Sequence, residues 1–271
     1  MIEAAPILAV NFGVVCAAFI TLWAICQLLK DVTLVDSYWA IGMVVVALST
    51  YLQTDQTDGF GERRLLLCGL SGLWGLRLGG YLFWRWLDHG PDRRYRSLLG
   101  RAESKQGWSF AKASLLLVFA IQAPLQFIIS LPVQLGQIGI APAKLGPLAW
   151  TGVAVALIGI VFETIGDVQL TIFRKNPANQ GMVLNKGLWR YTRHPNYFGD
   201  ACAWWGIYLV AAETPTGIWS LPAPLLLTWM LMKWSGAPTL ERRMRKTKPE
   251  YLAYVESTSG FVPWPPKKSA V

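Results

Sequence analysis

The sequence predicts an all-α, polytopic membrane protein with seven transmembrane helices, its N-terminus outside and its C-terminus in the cytoplasm. Hydrophobic residues make up 53% of the 271 residues, charged residues make up 15%, and 14 residues are tryptophan. The mean hydropathy is +0.35. A soluble domain of this length is less apolar. No repeat, low-complexity tract or linker divides the chain, so we expect residues 1–271 to form a single transmembrane domain.

Seven windows of the sequence are apolar enough to span a membrane, which requires about 20 mostly apolar residues. They cover roughly residues 7–29, 34–52, 65–84, 113–135, 147–172, 198–212 and 217–236. The fifth window is long and the sixth is short. Before the first window stands Glu3 rather than a cationic segment, so we do not expect a cleaved signal peptide.

The charges of the loops predict the orientation. Lys30 and the stretches 85–112, 173–197 and 233–271 hold most of the 25 lysines and arginines. The loops on the other side carry only Arg63, Arg64 and Lys144. Because cytoplasmic loops are enriched in Lys and Arg, the basic side is expected to be cytoplasmic, and the segregation requires an odd number of spans.

Several classes of function are disfavoured by composition. The net charge of +9 lies in loops next to the predicted spans, where anionic lipid or a phosphorylated ligand is a better partner than nucleic acid. The four cysteines lie inside the windows without CxxC spacing, so neither a disulfide framework nor a zinc site is expected. Two histidines without a nearby carboxylate cluster also disfavour a metal site.

Ionisable residues inside the windows are candidate functional groups, because each costs roughly 3 kcal/mol to insert into a membrane. These residues are Asp36, Arg77, Glu163, Asp167 and Asp200. All of them except Asp36 belong to three series with helical spacing. The series are Trp74, Arg77, Tyr81 and Arg85; Glu163, Asp167, Leu170 and Arg174; and Asn196, Asp200 and Trp204. Such stripes suit a long anionic ligand with a neutral polar end, although charged pairs can also simply fix helix packing.

The stretch LWRYTRHPNYFGDACAWWGIYLV, residues 188–210, begins with a cluster of polar residues and continues as an apolar, tryptophan-rich helix. Together with the spacing Glu163-x3-Asp167-x-Gln169-x4-Arg174, it resembles the C-terminal region of the steroid 5-alpha-reductase family, in its bacterial branch. The likeness covers most of the chain. It includes VDSYW, LWGLRLGGYLFWR, DRRYR and a tail of the form E-x9-Y-x2-Y-x6-F-V-P.

The resemblance implies a reductase of the bacterial inner membrane that holds NADPH in a cavity facing the cytoplasm, without a Rossmann fold. The substrate would be a lipophilic small molecule with an activated C=C bond, entering from the membrane lipid. The corresponding cofactor positions are Arg77, Tyr81, Glu163, Asp167, Arg174, Tyr191, Arg193, Asn196, Tyr197, Asp200, Glu241, Arg242 and Tyr254. Arginine suits the phosphates of a dinucleotide, and Asn and Asp suit ribose hydroxyls and the carboxamide. The oligomeric state is left open.

The resemblance also implies an acidic group that binds the substrate carbonyl. Asp36 falls where the family has a glutamate, and it must be protonated to donate a hydrogen bond, which an apolar pocket favours. Trp74 falls where the family has a tyrosine. An indole N–H can donate a hydrogen bond but is not a practical proton donor. Asp36 and Trp74 are therefore the predicted catalytic residues.

Besides the reductase, the sequence leaves two other classes of function open. RHPNYFG also resembles an element of membrane methyltransferases of the isoprenylcysteine carboxyl and phospholipid types, which bind S-adenosylmethionine. A non-catalytic lipid-binding or transport protein is the third class of function.

His194 precedes Pro195, so we expect a cap or a phosphate contact within the cofactor set, with general base as the alternative. In DRRYR, the residues Arg93, Arg94 and Arg96 form either a lipid-facing basic rim or a clamp for the 2′-phosphate.

Overall fold

The structure is a computed structural model, and it describes residues 4–54, 60–139, 142, 144–234 and 236–267. Helices make up 81% of it and no strand forms among these residues, which confirms the all-α prediction. The chain divides into two compact units. One contains residues 1–149 and 207–223, and the other contains residues 150–206 and 224–271.

The first unit begins with four helices. They are α1 (Ala4–Leu29), α2 (Leu34–Gln53), α3 (Gly61–His89) and α4 (Arg93–Gln106). Helices α2 and α3 pack closely, since a Cβ at Gly75 would lie 2.6 Å from the carbonyl oxygen of Ala40. Asp92 caps α4, its carboxylate accepting a 2.7 Å hydrogen bond from the backbone N–H of Arg94.

The next helical segment of this unit is irregular. It consists of α5 (Phe110–Ser114), a π-helical turn (Leu115–Phe119), α6 (Ala120–Ile129) and α7 (Leu131–Ile138). Pro124 lies inside α6. A proline donates no backbone hydrogen bond to the preceding turn, and wide turns of this kind accompany such interruptions.

Arg63 and Arg64, which the charge pattern assigned to a loop, lie in the first turn of α3 and are fully buried. Arg63 binds the Glu213 carboxylate at 2.7 Å and donates to the carbonyl of Val210 at 2.9 Å. Arg64 Nε donates to the carbonyl of Gln137 at 2.9 Å. A buried guanidinium is tolerated here because it is paired and hydrogen-bonded.

The second unit is built on α8 (Pro147–Lys175) and α9 (Pro195–Ala212), both of which cross the boundary between the units. Small residues bring these helices together. A Cβ at Gly199 would lie 2.5 Å from the backbone nitrogen of Glu163, and one at Gly159 would lie 2.5 Å from the carbonyl of Gly199. Glycine at such contacts allows the backbones to approach closely. The chain then continues through α10 (Pro222–Trp229), a π-helical turn (Met230–Trp234), α11 (Ala237–Thr247) and α12 (Tyr251–Ser257).

Within the part of the chain that the structure describes, five helical segments are long and apolar enough to cross a membrane. They are Ala4–Leu29, Leu34–Gln53, Gly61–His89, Phe110–Ile138 and Pro147–Lys175. They coincide with the first five predicted windows. The sixth window lies in α9, which carries Asn196 and Asp200, and the seventh lies in the interrupted stretch from Gly217 to Trp234. Seven spans and the orientation therefore remain predictions.

Candidate functional site

The facing sides of α8 and α9 bury three carboxylates. Glu163 is 3% exposed, Asp167 5% and Asp200 8%. Asn196 Nδ2 donates a 3.3 Å hydrogen bond to Asp167 Oδ1, and Asn196 Oδ1 accepts from the backbone N–H of Tyr197 at 3.1 Å. The two stripes predicted on the fifth and sixth windows are thus in contact within the second unit. Carboxylates are buried at such a cost only where polar partners surround them.

Arg193 and His194, just before α9, both bind Glu241 of α11. Arg193 Nε donates to Glu241 Oε1 at 2.8 Å, and His194 Nε2 lies 3.0 Å from the same oxygen. Arg193 also donates to the carbonyls of Val255 and Thr258 at 3.2 and 2.7 Å. Three predicted cofactor residues therefore come together, and their contacts fasten the C-terminal tail to the RHP motif.

The pKa of Glu241 reflects these contacts. Burial raises the pKa of this carboxyl group, but the hydrogen bonds from His194 and Arg193 and the charge of Arg193 outweigh burial and hold the pKa at about 2. Glu241 is therefore a carboxylate at neutral pH. It acts as an anchor for two cationic or polar side chains rather than as a proton donor.

His194 is buried, with 1% of its surface exposed. Its ring stacks on Tyr197 at a centroid distance of 5.3 Å. Its Nδ1 atom has no hydrogen-bond partner among the described residues. The tautomer of the ring decides whether Nδ1 acts as a hydrogen-bond donor or acceptor. A buried ring nitrogen of this kind can bind a polar group of a ligand.

The tail contacts the 187–194 segment at several further points. Tyr254 is buried and its hydroxyl donates to the carbonyl of Trp189 at 2.5 Å. Thr192 Oγ1 donates to the carbonyl of Phe261 at 2.7 Å, and the backbone N–H of Trp264 donates to the carbonyl of Tyr191 at 2.9 Å. Tyr254, predicted as a cofactor contact, is thus engaged in holding this segment.

The remaining cofactor candidates of the second unit are more exposed. Tyr191 is 43% exposed. Arg242 lies on α11 with an exposed side chain. Arg174, in the last turn of α8, lines a cleft of about 370 Å³ together with Lys248. These three side chains are therefore open to a ligand from solvent.

In the first unit, Asp36 lies at the start of α2 and binds two residues of α4. Arg94 Nη2 contacts Asp36 Oδ2 at 2.9 Å, and the Tyr95 hydroxyl donates to Asp36 Oδ1 at 2.5 Å. Gln122 Nε2 donates to the Tyr95 hydroxyl oxygen at 3.1 Å. The Asp36 side chain is 21% exposed. A partly exposed carboxylate and a phenol are thus paired between α2 and α4.

Tyr95 is the hydrogen-bond donor of this pair. Burial, followed by the charge and the hydrogen bond of Asp36, raises the pKa of Tyr95 well above its ordinary value. The opposing effects of Arg94 and Gln122 are smaller. Tyr95 is therefore a neutral hydrogen-bond donor at physiological pH, whereas Asp36 is the acceptor. The sequence expectation that Asp36 itself donates to a substrate carbonyl remains a prediction.

The other predicted residues of this unit lie on α3. Trp74 is completely buried and packs edge-on against Trp39 at 6.4 Å between ring centroids. Arg77 is half-buried, and the half-buried ring of Tyr81 stacks on Trp84 at 6.1 Å. Convergence of this stripe with those on α8 and α9 remains a prediction.

Tyr95 is the residue that sequence reasoning missed. The arginines of the DRRYR motif predict a basic rim or a phosphate clamp and do not point to Tyr95. The signal was the tyrosine inside that motif, combined with the absence of a phenol at Trp74. Asp36 and Tyr95 are 59 residues apart, beyond the reach of any helical spacing rule.

The fold and site define an all-helical protein with several helices apolar enough to cross a membrane. The chain belongs to the family described as "Protein of unknown function (DUF1295)", which matches residues 22–258 and includes steroid 5-alpha-reductase-like proteins. The matched range contains every predicted site residue.

Two curated proteins are similar to the chain. Over 51 residues it is 37% identical to the "Probable O-methyltransferase ustE" of Ustilaginoidea virens, a match that covers 19% of this chain and 18% of that protein. It is 22% identical to the "Uncharacterized protein C594.04c" of Schizosaccharomyces pombe over 280 aligned positions, covering 89% of this chain and 75% of that protein. No solved structure matches the chain.

Proposed function

We propose that the protein is an integral-membrane reductase that transfers hydride from NADPH to the activated C=C bond of a lipophilic, steroid- or isoprenoid-like enone. The observation that carries the proposal is the 2.5 Å hydrogen bond between Tyr95 and Asp36. It supplies a positioned phenol, which can act as the hydrogen-bond donor that enone reduction needs and which position 74 lacks. The side chains of this pair come from α2 and α4 of one compact unit.

The role of the pair is to stabilise charge on the substrate oxygen. When hydride adds to the β carbon of an enone, the C=C electron pair moves toward the carbonyl and an enolate oxygen develops. A positioned donor that meets this oxygen lowers the barrier. Tyr95 can turn its hydroxyl proton from Asp36 to the substrate oxygen, while Gln122 and Arg94 keep the phenol and the carboxylate in place. A proton from water then adds to the α carbon, so that one hydride and one proton are added across the C=C bond.

The donor set of the second unit fits a nicotinamide dinucleotide. NADPH, when bound, supplies the hydride. Asn196 and the buried carboxylates at 163, 167 and 200 can bind ribose hydroxyls and a carboxamide, and His194 Nδ1 is buried without a partner among the described residues. Arg174 follows Asp167 by seven residues on the same face of α8. The guanidinium group of Arg174 at the end of α8 suits the phosphates of the dinucleotide.

A methyltransferase that uses S-adenosylmethionine is the second candidate, and the 37% identity to ustE over 51 residues favours it. Buried carboxylates also suit the sulfonium and ammonium groups of that cofactor. Methyl transfer requires a nucleophilic acceptor and does not use a hydrogen-bond donor to a developing enolate oxygen, so the donor role proposed for Tyr95 has no counterpart in it.

For both candidate functions, a membrane location agrees with the five apolar helices among the described residues. We propose that the site lies on the cytoplasmic side of a bacterial inner membrane, where either cofactor is available.

Cofactor binding separates the two proposals. Purified protein in detergent is titrated with NADPH, NADH and S-adenosylmethionine, and its thermal unfolding is followed. The reductase proposal expects the midpoint to rise with NADPH, because a ligand that binds only the folded state stabilises it. A rise with S-adenosylmethionine and none with NADPH would favour the methyltransferase.

A further inference from the structure

A cleft of about 370 Å³ lies at the end of α8, entirely within the second unit. Its lining combines the last turn of the helix with the loop that follows and one residue from the end of α11. The lining residues are Phe173, Arg174, Lys175, Asn176, Pro177, Asn179, Gln180, Gly181 and Lys248. It contains three cations and, among the described residues, no acidic side chain.

The helix end accounts for two of these cations. Arg174 and Lys175 occupy the last turn of α8, where positive charge is favourable against the helix dipole. Lys248 comes from a segment more than 70 residues later in the chain and adds a third charge. Burial lowers the pKa of Lys248, and the neighbouring charge of Arg174 lowers it further, against a smaller opposing effect of Glu250. Like charges are therefore held together in a partly enclosed space.

The loop that forms the wall is fixed by its own hydrogen bonds. Asn176 Oδ1 accepts from the backbone N–H of Ala178 at 3.0 Å, and Asn179 Nδ2 donates to the carbonyl of Phe173 at 2.9 Å. Gly181 adopts a φ of 83°, which lets the chain turn back. Lys248 Nζ donates to the carbonyl of Met182. The loop and the Lys248 ammonium group are thus held in place before any ligand arrives.

We infer that this cleft binds a phosphomonoester anion. A phosphomonoester carries about −1.5 to −2 charges at neutral pH and three acceptor oxygens. Such a group neutralises two cations at once, relieves the repulsion between Arg174 and Lys248, and accepts several charge-assisted hydrogen bonds. The group can belong to a soluble nucleotide or to the headgroup of phosphatidic acid, which present the same chemistry. Where the ligand is a nucleotide, the inference rests on the proposed cofactor site, to which Arg174 belongs, but it does not depend on hydride transfer.

The test uses the full-length protein in neutral detergent. Binding of 2′-AMP and inorganic phosphate is measured by calorimetry, with adenosine as the uncharged reference. A second arm measures retention of phosphatidic acid against phosphatidylcholine in nanodiscs by native mass spectrometry. The variant is Lys248→Gln, the matched control is Lys246→Gln on the exposed side of α11, and Lys248→Arg tests rescue of the charge.

We expect Lys248→Gln to weaken phosphomonoester binding by about tenfold or more, since a hydrogen bond to a charged group contributes about that factor. Lys246→Gln and Lys248→Arg should bind like the wild type. Preference for 2′-AMP identifies a soluble ligand and preference for phosphatidic acid identifies a lipid. Equal binding of 2′-AMP and adenosine without retention of phosphatidic acid, or identical affinities of Lys248→Gln and Lys246→Gln, would overturn the inference. None of these probes contains nicotinamide, so failure here is distinct from failure of the reductase proposal.

Discussion

The Tyr95 hydroxyl donates a 2.5 Å hydrogen bond to Asp36, joining the first turn of α4 to the first turn of α2. Arg94 binds the other oxygen of the same carboxylate at 2.9 Å. This arrangement orients the phenol and keeps it protonated. The proposed reductase chemistry depends on that phenol, and four predictions test the account.

Tyr95→Phe should reduce enone reduction by about 100-fold, the lower limit for loss of a positioned acid. The KM for NADPH should remain unchanged, because the substitution removes only the phenol oxygen. The measurement is NADPH oxidation, at saturating cofactor for the turnover rate and over a range of NADPH concentrations for the KM. Tyr38→Phe is the matched control, since Tyr38 packs against Phe19 in the same unit without contacting Asp36 in the structure described.

Two outcomes of this comparison are informative. If Tyr95→Phe and Tyr38→Phe retain equal activity, Tyr95 has a structural role in docking α4. If Tyr95→Phe unfolds at a much lower temperature than Tyr38→Phe, the activity comparison is made at a temperature where both are folded.

Glu241 should make the stability of the tail dependent on acid pH. Its pKa is lowered from 4.5 to about 2 in the folded protein. Its contacts with Arg193 and His194 therefore stabilise the fold fully above about pH 4.5, and this contribution is lost as the pH falls toward about 2. Thermal unfolding followed across that window should show a steeper decline for the wild type than for Glu241→Gln. Glu256→Gln, an exposed acid on α12, should decline like the wild type.

The contact between α8 and α9 should not tolerate a side chain at Gly199. A Cβ there would lie 2.5 Å from the backbone of Glu163, and backbone cannot move aside cheaply. We expect Gly199→Ala to destabilise the protein by about 1–3 kcal/mol and to weaken cofactor binding. Gly80→Ala on α3 is the control, because nothing lies within 4 Å of its Cβ position. Equal stability of the two variants in detergent unfolding would contradict the packing described.

The Arg63–Glu213 pair should be essential to the first unit. Arg63 is 0% exposed, so its removal leaves Glu213 with one fewer partner in a buried setting. We expect Arg63→Gln to cost about 3–5 kcal/mol, the usual effect of breaking a buried pair. Lys144→Gln removes an exposed cation nearby and should have little effect. An unfolding measurement in which both variants match the wild type would exclude a stabilising role for the pair.

The sequence predicts the long helices well, because hydropathy over about 20 residues is a strong local signal. The apolar window 65–84 nevertheless understates α3, which extends from Gly61 to His89. The polar residues at both ends of α3 are helical, but a hydropathy window does not include them. The interrupted stretch from Pro222 to Trp234 was less predictable, since a π-helical turn leaves no clear mark on composition.

The candidate site was predictable only where its residues share a helix. The stripe from Glu163 to Arg174 follows from spacing alone. The partners of Asp36 and Arg193 do not, since Arg94 and Glu241 are 58 and 48 residues away in the chain. Such pairs form only when the helices pack against each other, and the packing of helices cannot be derived from the residue spacing in a single sequence.

The most direct test of the central claim follows the hydride itself. The protein is incubated with NADPH deuterated at the transferable position and with a panel of lipophilic steroid and isoprenoid enones, and the products are analysed by mass spectrometry. The account predicts a product that carries one deuterium on the former β carbon, formed by the wild type and strongly reduced in Tyr95→Phe. Unlabelled enones throughout, together with methyl transfer from labelled S-adenosylmethionine, would contradict it.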